Sequence, residues 1–253
     1  MSVVESRHDG PVATVTLADE ARRNVLSTPL VTELLAALDA AEADPDIRVI
    51  VLTNRGGTFC AGADLTSAPG PGAPGLTTLL ARIRACPKPI VGRLAGHCVA
   101  GGVGLAAACD VSVAVAGALF GFTEARVGVA PAMIAVVCLP KMRLGEAREA
   151  FLRARRFDAT EAVRLGLINH AVEPDALDRT VAEIVDDLLA GAPGALGAAK
   201  QLTDVLPELG VEEGAAWAAE LSARLFAAPE AREGMAAFLE KRPAPWVVRR
   251  ALD

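Results

Sequence analysis

The chain has 253 residues, 52% hydrophobic and 22% charged, and Lys+Arg 25 against Asp+Glu 31 leaves a formal net charge of -6. That length accommodates one large core or two smaller domains, while 4% aromatic residues, no Tyr and an acidic balance argue against a nucleic-acid surface. The mean hydropathy of +0.37 raises the question of a membrane span, yet the most apolar stretch, 94–123, carries Asp110 and is broken by Gly96, Gly101, Gly102, Gly104 and Gly117, so it reads as buried core.

The start, MSVVESRHDG, lacks a basic segment followed by an apolar block, so no secretory signal is expected. Val12 to Leu17 alternates in the manner of a half-buried strand. Thr28-Pro29 then supplies an N-cap and a first-turn proline for a helix carrying Leu30, Leu34, Leu35 and Leu38 as far as Asp44-Pro45. Ile47 to Thr53 is a short β-branched run, as expected for a strand covered on both faces. Ser67 to Gly75 (SAPGPGAPG) is a surface loop or the lid or rim of a ligand site. Pro89 to Leu94 and Val111 to Ala116 read as two further strands, and strands alternating with helices predict an α/β architecture. Beyond Ala159 the pattern is helical, over 160–165, 175–190, 195–206, 211–226 and 229–241. The composition change at Gly191-Ala-Pro-Gly194 suggests an α/β core at 1–192 and a helical region at 193–253.

Five cysteines (60, 86, 98, 109, 138) without a C-x-x-C pair are expected to be reduced, buried thiols in a cytoplasmic protein. His8, His97 and His170 are not spaced with other ligands, so no metal site is expected.

Three glycine-marked segments hold the candidate chemistry: Thr58-Phe-Cys-Ala-Gly-Ala-Asp-Leu65, Gly96-His-Cys-Val-Ala-Gly-Gly-Val-Gly-Leu-Ala-Ala-Ala-Cys-Asp110, and Phe120-Gly-Phe-Thr-Glu-Ala-Arg-Val-Gly-Val-Ala-Pro-Ala132. In the second, a glycine turn feeding a helix lets backbone amides approach a ligand and offers partial positive charge to an oxygen anion; a tight turn with close helix packing is the bland alternative. Gly102-Val-Gly104-Leu-Ala-Ala107 also fits a loose dinucleotide fingerprint, but that fingerprint opens a first βαβ unit, and here two strands and a long helix precede it.

Taken together, Asn24-Val-Leu26, FCAGADL, KPIVGRLAGHCVAGGVGLAAACD and FTEARVGVAPA, in this order, resemble the enoyl-CoA hydratase/isomerase (crotonase) superfamily. The likeness continues through Arg155 to Leu167 and into the tail Gly234 to Arg242. It implies an α/β fold with a repeated ββα core and a C-terminal helical oligomerisation region forming trimers or dimers of trimers. It also implies an acyl-CoA thioester as substrate and no separate cofactor. By motif position, the amides of Ala63 and Gly101 would form the oxyanion hole for the thioester carbonyl.

Typical hydratases of this family carry two glutamates; here the first position is Gly104 and only the second, Glu124, is present, a GGVGL plus E-x-R-x-G-x-x-P-A combination that resembles both enoyl-CoA isomerases and some hydratases acting on branched or carboxylated enoyl-CoAs. Hydration divides work between a group that holds water at C3 and one that delivers a proton to C2. Moving a double bond from the 3- to the 2-position needs one base. A hydratase-like lyase, a Δ3,Δ2-enoyl-CoA isomerase and a non-catalytic acyl-CoA-binding protein therefore all stay open. Glu124, among Phe120, Phe122, Val127 and Val129, is the expected general acid/base, with a carboxyl pKa raised by desolvation; a surface carboxylate is the bland reading. His97 is a candidate to hold water, or else a packed core histidine, and Arg126 a partner for Glu124 or for a substrate carboxylate, or an ordinary ion pair. For CoA, the resemblance implies Arg22, Arg23, Ala61, Asp64, Leu65 and Thr66 along the nucleotide, with Phe238 and Lys241 reaching it from a neighbouring subunit.

Overall fold

A computed structural model describes residues 2–66 and 75–248. The loop expected at Ser67–Gly75 lies outside the described residues except for Gly75, which caps the helix Leu76–Ala85. Ten strands are described: β1 Val4–Asp9, β2 Val12–Leu17, β3 Val49–Asn54, β4 Thr58–Cys60, β5 Ile90–Leu94, β6 His97–Val99, β7 Val111–Val115, β8 Leu119–Gly121, β9 Arg156–Asp158 and β10 His170–Val172.

They form two sheets. The larger runs β1-β2-β3-β5-β7-β10, with β1 antiparallel to β2 and all later neighbours parallel. The smaller runs β4-β6-β8-β9, parallel except for β9. Each successive unit contributes one strand to each sheet and then a helix: β3-β4 before Leu76–Ala85, β5-β6 before Gly101–Ala108, and β7-β8 before Ala132–Cys138. This is the repeated ββα core that the motifs imply.

The β-branched run at 49–54 is buried at every position, as a central parallel strand requires. Strand β1, which the sequence reading left out, has the burial pattern of an edge, with only Val4 buried. The helix Thr28–Ala43 buries Leu30, Val31, Leu34, Leu38 and Ala41 along one face. Its N-cap is Ser27, not Thr28: the Ser27 side chain accepts a hydrogen bond from Leu30 N–H at 3.4 Å, while Thr28 and Pro29 occupy the first turn. In the helix Gly101–Ala108 (GGVGLAAA) every residue is buried, which its small side chains permit on all sides.

Contacts divide the chain into two compact units, Met1–Cys86 with Ile90–Ala182, and Pro87–Pro89 with Glu183–Asp253. The composition change places a boundary at 192/193; the contacts place it at 182/183, within the helix Leu177–Ala190, whose first turn joins the α/β unit through buried Leu177 and an Asp178–Arg93 ion pair at 2.6 Å. The second unit contains the helices Pro193–Val205, Val211–Ala227 and Pro229–Leu239, as the periodicity predicts. Within it Glu230 accepts the Gly194 N–H at 3.1 and 3.2 Å from its two oxygens, and Arg242 pairs with Glu233 and Glu240. Among the described residues no helix is long and apolar enough to cross a membrane.

Candidate active site

The three glycine-marked segments meet at one cleft of about 830 Å³ in the α/β unit, lined by Ala61, Ala63 and Leu65 from the first, Ala100 and Gly101 from the second, and Thr123, Glu124, Val127 and 129–132 from the third, with Leu76, Met133 and Ile134 completing the wall. The first segment is held in place from upstream. Arg23 and Asn24 both take left-handed backbone angles, and the Arg23 carbonyl accepts from Ala61 N–H at 3.1 Å. Asn24 is fully buried, donating through Nδ2 to the carbonyls of Thr58 (2.8 Å) and Arg55 (3.2 Å). Leu26 N–H donates to Gly62 O at 2.8 Å and forms a parallel bridge with Ala63.

Gly62 is where the first segment touches the second. Its φ is +89°, and a Cβ there would lie 2.9 Å from Ala100 Cβ and 3.0 Å from both Gly101 N and Val99 O. Ala100 answers with φ 51°, ψ -119°, an unusual backbone conformation for a residue with a side chain, anchored by its N–H to Gly121 O at 2.9 Å. Gly101 then opens the helix, so its N–H has no intrahelical acceptor. Neither Ala63 N–H nor Gly101 N–H donates to an acceptor among the described residues. Two unengaged amides on one cleft wall are the donors an oxyanion needs.

Across the cleft, Glu124 begins a short 3-10 turn, Glu124–Val127, closed by Gly128 at φ 81°. The turn stands on an aromatic base: Phe122 is fully buried against Phe151, rings edge-to-face at 4.6 Å, and Phe120 stacks on Phe157 at 6.3 Å. Glu124 Oε2 is buried without a hydrogen-bond partner. Burial therefore raises the Glu124 pKa above the ordinary carboxylate value, its own backbone N–H opposing the shift. A partly desolvated carboxyl with a vacant oxygen suits proton transfer. Phe120 and Phe122 lie in the core beneath it, whereas Val127 and Val129 line the cleft.

The remaining expected residues divide. His97 does not line the cleft: its Nδ1 accepts from Leu119 N–H at 2.9 Å, the packed role rather than a water contact. Arg126 turns away from Glu124, donating through Nε to Ala154 O at 2.6 Å. Asp64 is committed locally, accepting from Arg22 Nη2 at 2.5 Å and from Thr66 N and Oγ1 at 3.0 and 2.6 Å. Arg23 is exposed, with no ion-pair partner among the described residues. In the second unit Phe238 is 82% exposed, and Lys241 follows the last helix with φ 54°. All five cysteines are buried, and burial pushes Cys60 and Cys138 up to about 12, so these two are unreactive at neutral pH.

The model of the family described as enoyl-CoA hydratase/isomerase matches residues 7–249. The chain belongs to that family. It is 34% identical to enoyl-CoA hydratase EchA19 of Mycobacterium tuberculosis over 263 residues, covering 96% of this chain and 97% of that one. It is 33% identical to carnitinyl-CoA dehydratase of Citrobacter koseri, covering 95% and 96%. The crystal structure of an enoyl-CoA hydratase from Mycobacterium smegmatis superposes with a TM-score of 0.90 at 29% identity, covering 97% of this chain and 99% of that chain.

Against this family, the structure gives a physical reason for Gly104. A Cβ at that position would fall 2.3 Å from Ile134 Cγ2 and 2.7 Å from Ile134 Cβ. Ile134, itself buried, fills the space that a side chain at 104 would need. The sequence reading passed over Ile134 and Thr123, although both stand in or beside the FTEARVGVAPA motif. An isoleucine in a helix carries no sign in the sequence of which glycine it packs on.

Proposed function

We propose that this enoyl-CoA hydratase/isomerase family member is a hydratase-like lyase that adds or removes water across the 2,3 double bond of an acyl-CoA thioester. The observation that carries the reading is the unpartnered, desolvated carboxyl of Glu124 on the same cleft as the two unengaged amides of Ala63 and Gly101. The amides hold the thioester oxygen as negative charge grows on it. Glu124 takes a proton from water and returns one to C2. The substrate's CoA is the only cofactor required. The apolar lining, Leu65, Leu76, Val127, Val129 and Met133, suits a hydrocarbon acyl chain. Arg22 and Arg23 supply local positive charge to the CoA phosphates despite the acidic whole. Phe238 and Lys241 add contacts from a neighbouring subunit of a homotrimer or dimer of trimers; exposed Phe226, Phe238 and Leu239 support assembly through the helical unit. A cytoplasmic location fits five buried cysteines without a C-x-x-C pair.

One observation favours a second reading. With Ile134 in the place of a second carboxylate, a lone Glu124 suffices for shuttling a proton between C2 and C4, the isomerase reaction. Incubation with a 2-enoyl-CoA and, separately, with a 3-enoyl-CoA tests both: hydration lowers the absorbance of the conjugated thioester, isomerisation raises it. Tight CoA-ester binding with no change in either assay would favour a binding protein, and absence of binding would overturn the proposal.

A further inference from the structure

Among the described residues lining the cleft, two, Thr123 and Glu124, carry a side-chain oxygen. The place of a second carboxylate is closed, because Ile134 stands within 2.3 Å of any Cβ at Gly104. His97 is turned to Leu119 N–H. Among the described side chains of the cleft, Thr123 is the one besides Glu124 that can hold a water at C3.

The Thr123 hydroxyl is free for that work. It precedes the 3-10 turn without capping it, and it makes no hydrogen bond to a described residue. It is also absent from the buried polar atoms that lack a partner, so solvent reaches it. A hydroxyl that neither caps nor pairs, on the residue next to a carboxyl with a vacant oxygen and on the same cleft, offers one water a second partner.

We propose that the Thr123 hydroxyl holds the reacting water, in the role that the absent second carboxylate would otherwise fill. The inference rests on the hydratase reading above. The water donates one hydrogen to Glu124 and the other to Thr123 Oγ1, which leaves a lone pair for C3. As the new C3–O bond forms, the C2=C3 electron pair moves toward the thioester oxygen held by the two amides. The water proton passes to Glu124 and from there to C2, so that one H and one OH are added and Thr123 is unchanged. Thr123 touches the reacting water and takes no part in enolate formation itself.

That division of labour sets the test. Hydration of a short 2-enoyl-CoA is measured beside exchange of the C2 hydrogen of the corresponding saturated acyl-CoA in D2O, which needs Glu124 and the amides but no water at C3. Thr123→Val is expected to lower kcat for hydration about tenfold or more, as loss of a hydrogen bond to a reacting group does, with KM and the exchange rate little changed. Thr123→Ser, which keeps the hydroxyl, is expected to restore most of the hydration rate. Wild-type kcat in Thr123→Val, or hydration and exchange falling together in that variant, would overturn the role of Thr123. Exchange without any hydration by the wild-type protein would instead overturn the hydratase reading, and this inference with it.

Discussion

The contact between Gly104 and Ile134 can be tested apart from catalysis. In Gly104→Ala the new methyl would lie 2.3 Å from Ile134 Cγ2 and 2.7 Å from Ile134 Cβ, against about 3.5–4.0 Å for an unstrained carbon contact. Ile134 is 2% exposed and its Cα is 3.5 Å from the new atom, so the side chain has little room to retreat. Overpacking of this kind costs about 1–3 kcal/mol, offset in part by the roughly 1 kcal/mol that alanine gains over glycine inside a helix. The expected net loss is about 0–2 kcal/mol. Ile134→Ala alone removes three buried carbons and costs about 2–5 kcal/mol. In the double variant the Cγ2 contact is gone, but the Cβ that alanine keeps still stands 2.7 Å from the new methyl, so the cost of Gly104→Ala falls without vanishing. The coupling energy is therefore about 1 kcal/mol, within the span known for residues in contact. Urea unfolding of the four proteins at one fixed protein concentration reads it, since assembly would add a concentration-dependent term. If Gly104→Ala changed stability by the same amount with and without Ile134, the steric account of the missing carboxylate would be refuted.

Three further outcomes follow from the site. Glu124→Gln should lower turnover by about 10²–10⁴-fold while calorimetry still shows acyl-CoA binding; near-normal turnover would reject Glu124 as the acid/base. Because burial raises the Glu124 pKa in the folded state, the folded chain holds that proton more firmly than the unfolded one, and the wild type loses the associated stability as pH rises from the ordinary carboxyl pKa through the raised one. The Tm of Glu124→Gln relative to wild type should accordingly climb as pH rises above the ordinary carboxyl value of about 4; a difference independent of pH would contradict the desolvation. Gly62→Ala combines a positive φ with a methyl 3.0 Å from Gly101 N, so it should displace that amide and cut kcat by up to about 10²–10³-fold, the worth of one oxyanion donor. A Gly62→Ala variant with normal kcat would show that this amide is not used.

Much of the molecule was legible in the chain because its signals are local. The β-branched run at 49–54 is a buried strand whatever surrounds it, and five helices after Ala159 announce themselves through periodicity. The three-residue strands β4, β6, β8 and β9 are different: TFC, HCV, LFG and RFD are too short to show a period, and only pairing with one another makes them a sheet. Residue roles divide in the same way. Glu124, Ala63 and Gly101 could be named from ordered motifs. That His97 faces Leu119 N–H and Arg126 faces Ala154 O depends on partners 22 and 28 residues away, which no motif encodes.

By itself the sequence determined an α/β layer chain with a helical end, a family, one candidate acid/base and two candidate amides. It also showed that a glutamate was missing at 104. Tertiary structure decided why and what remains: Ile134, thirty positions along the chain, occupies the space, and Thr123 carries the other side-chain oxygen among the described residues of the cleft. The reason is steric. A glycine records only that a side chain is absent, and which atoms fill its place is settled by packing between segments distant in sequence.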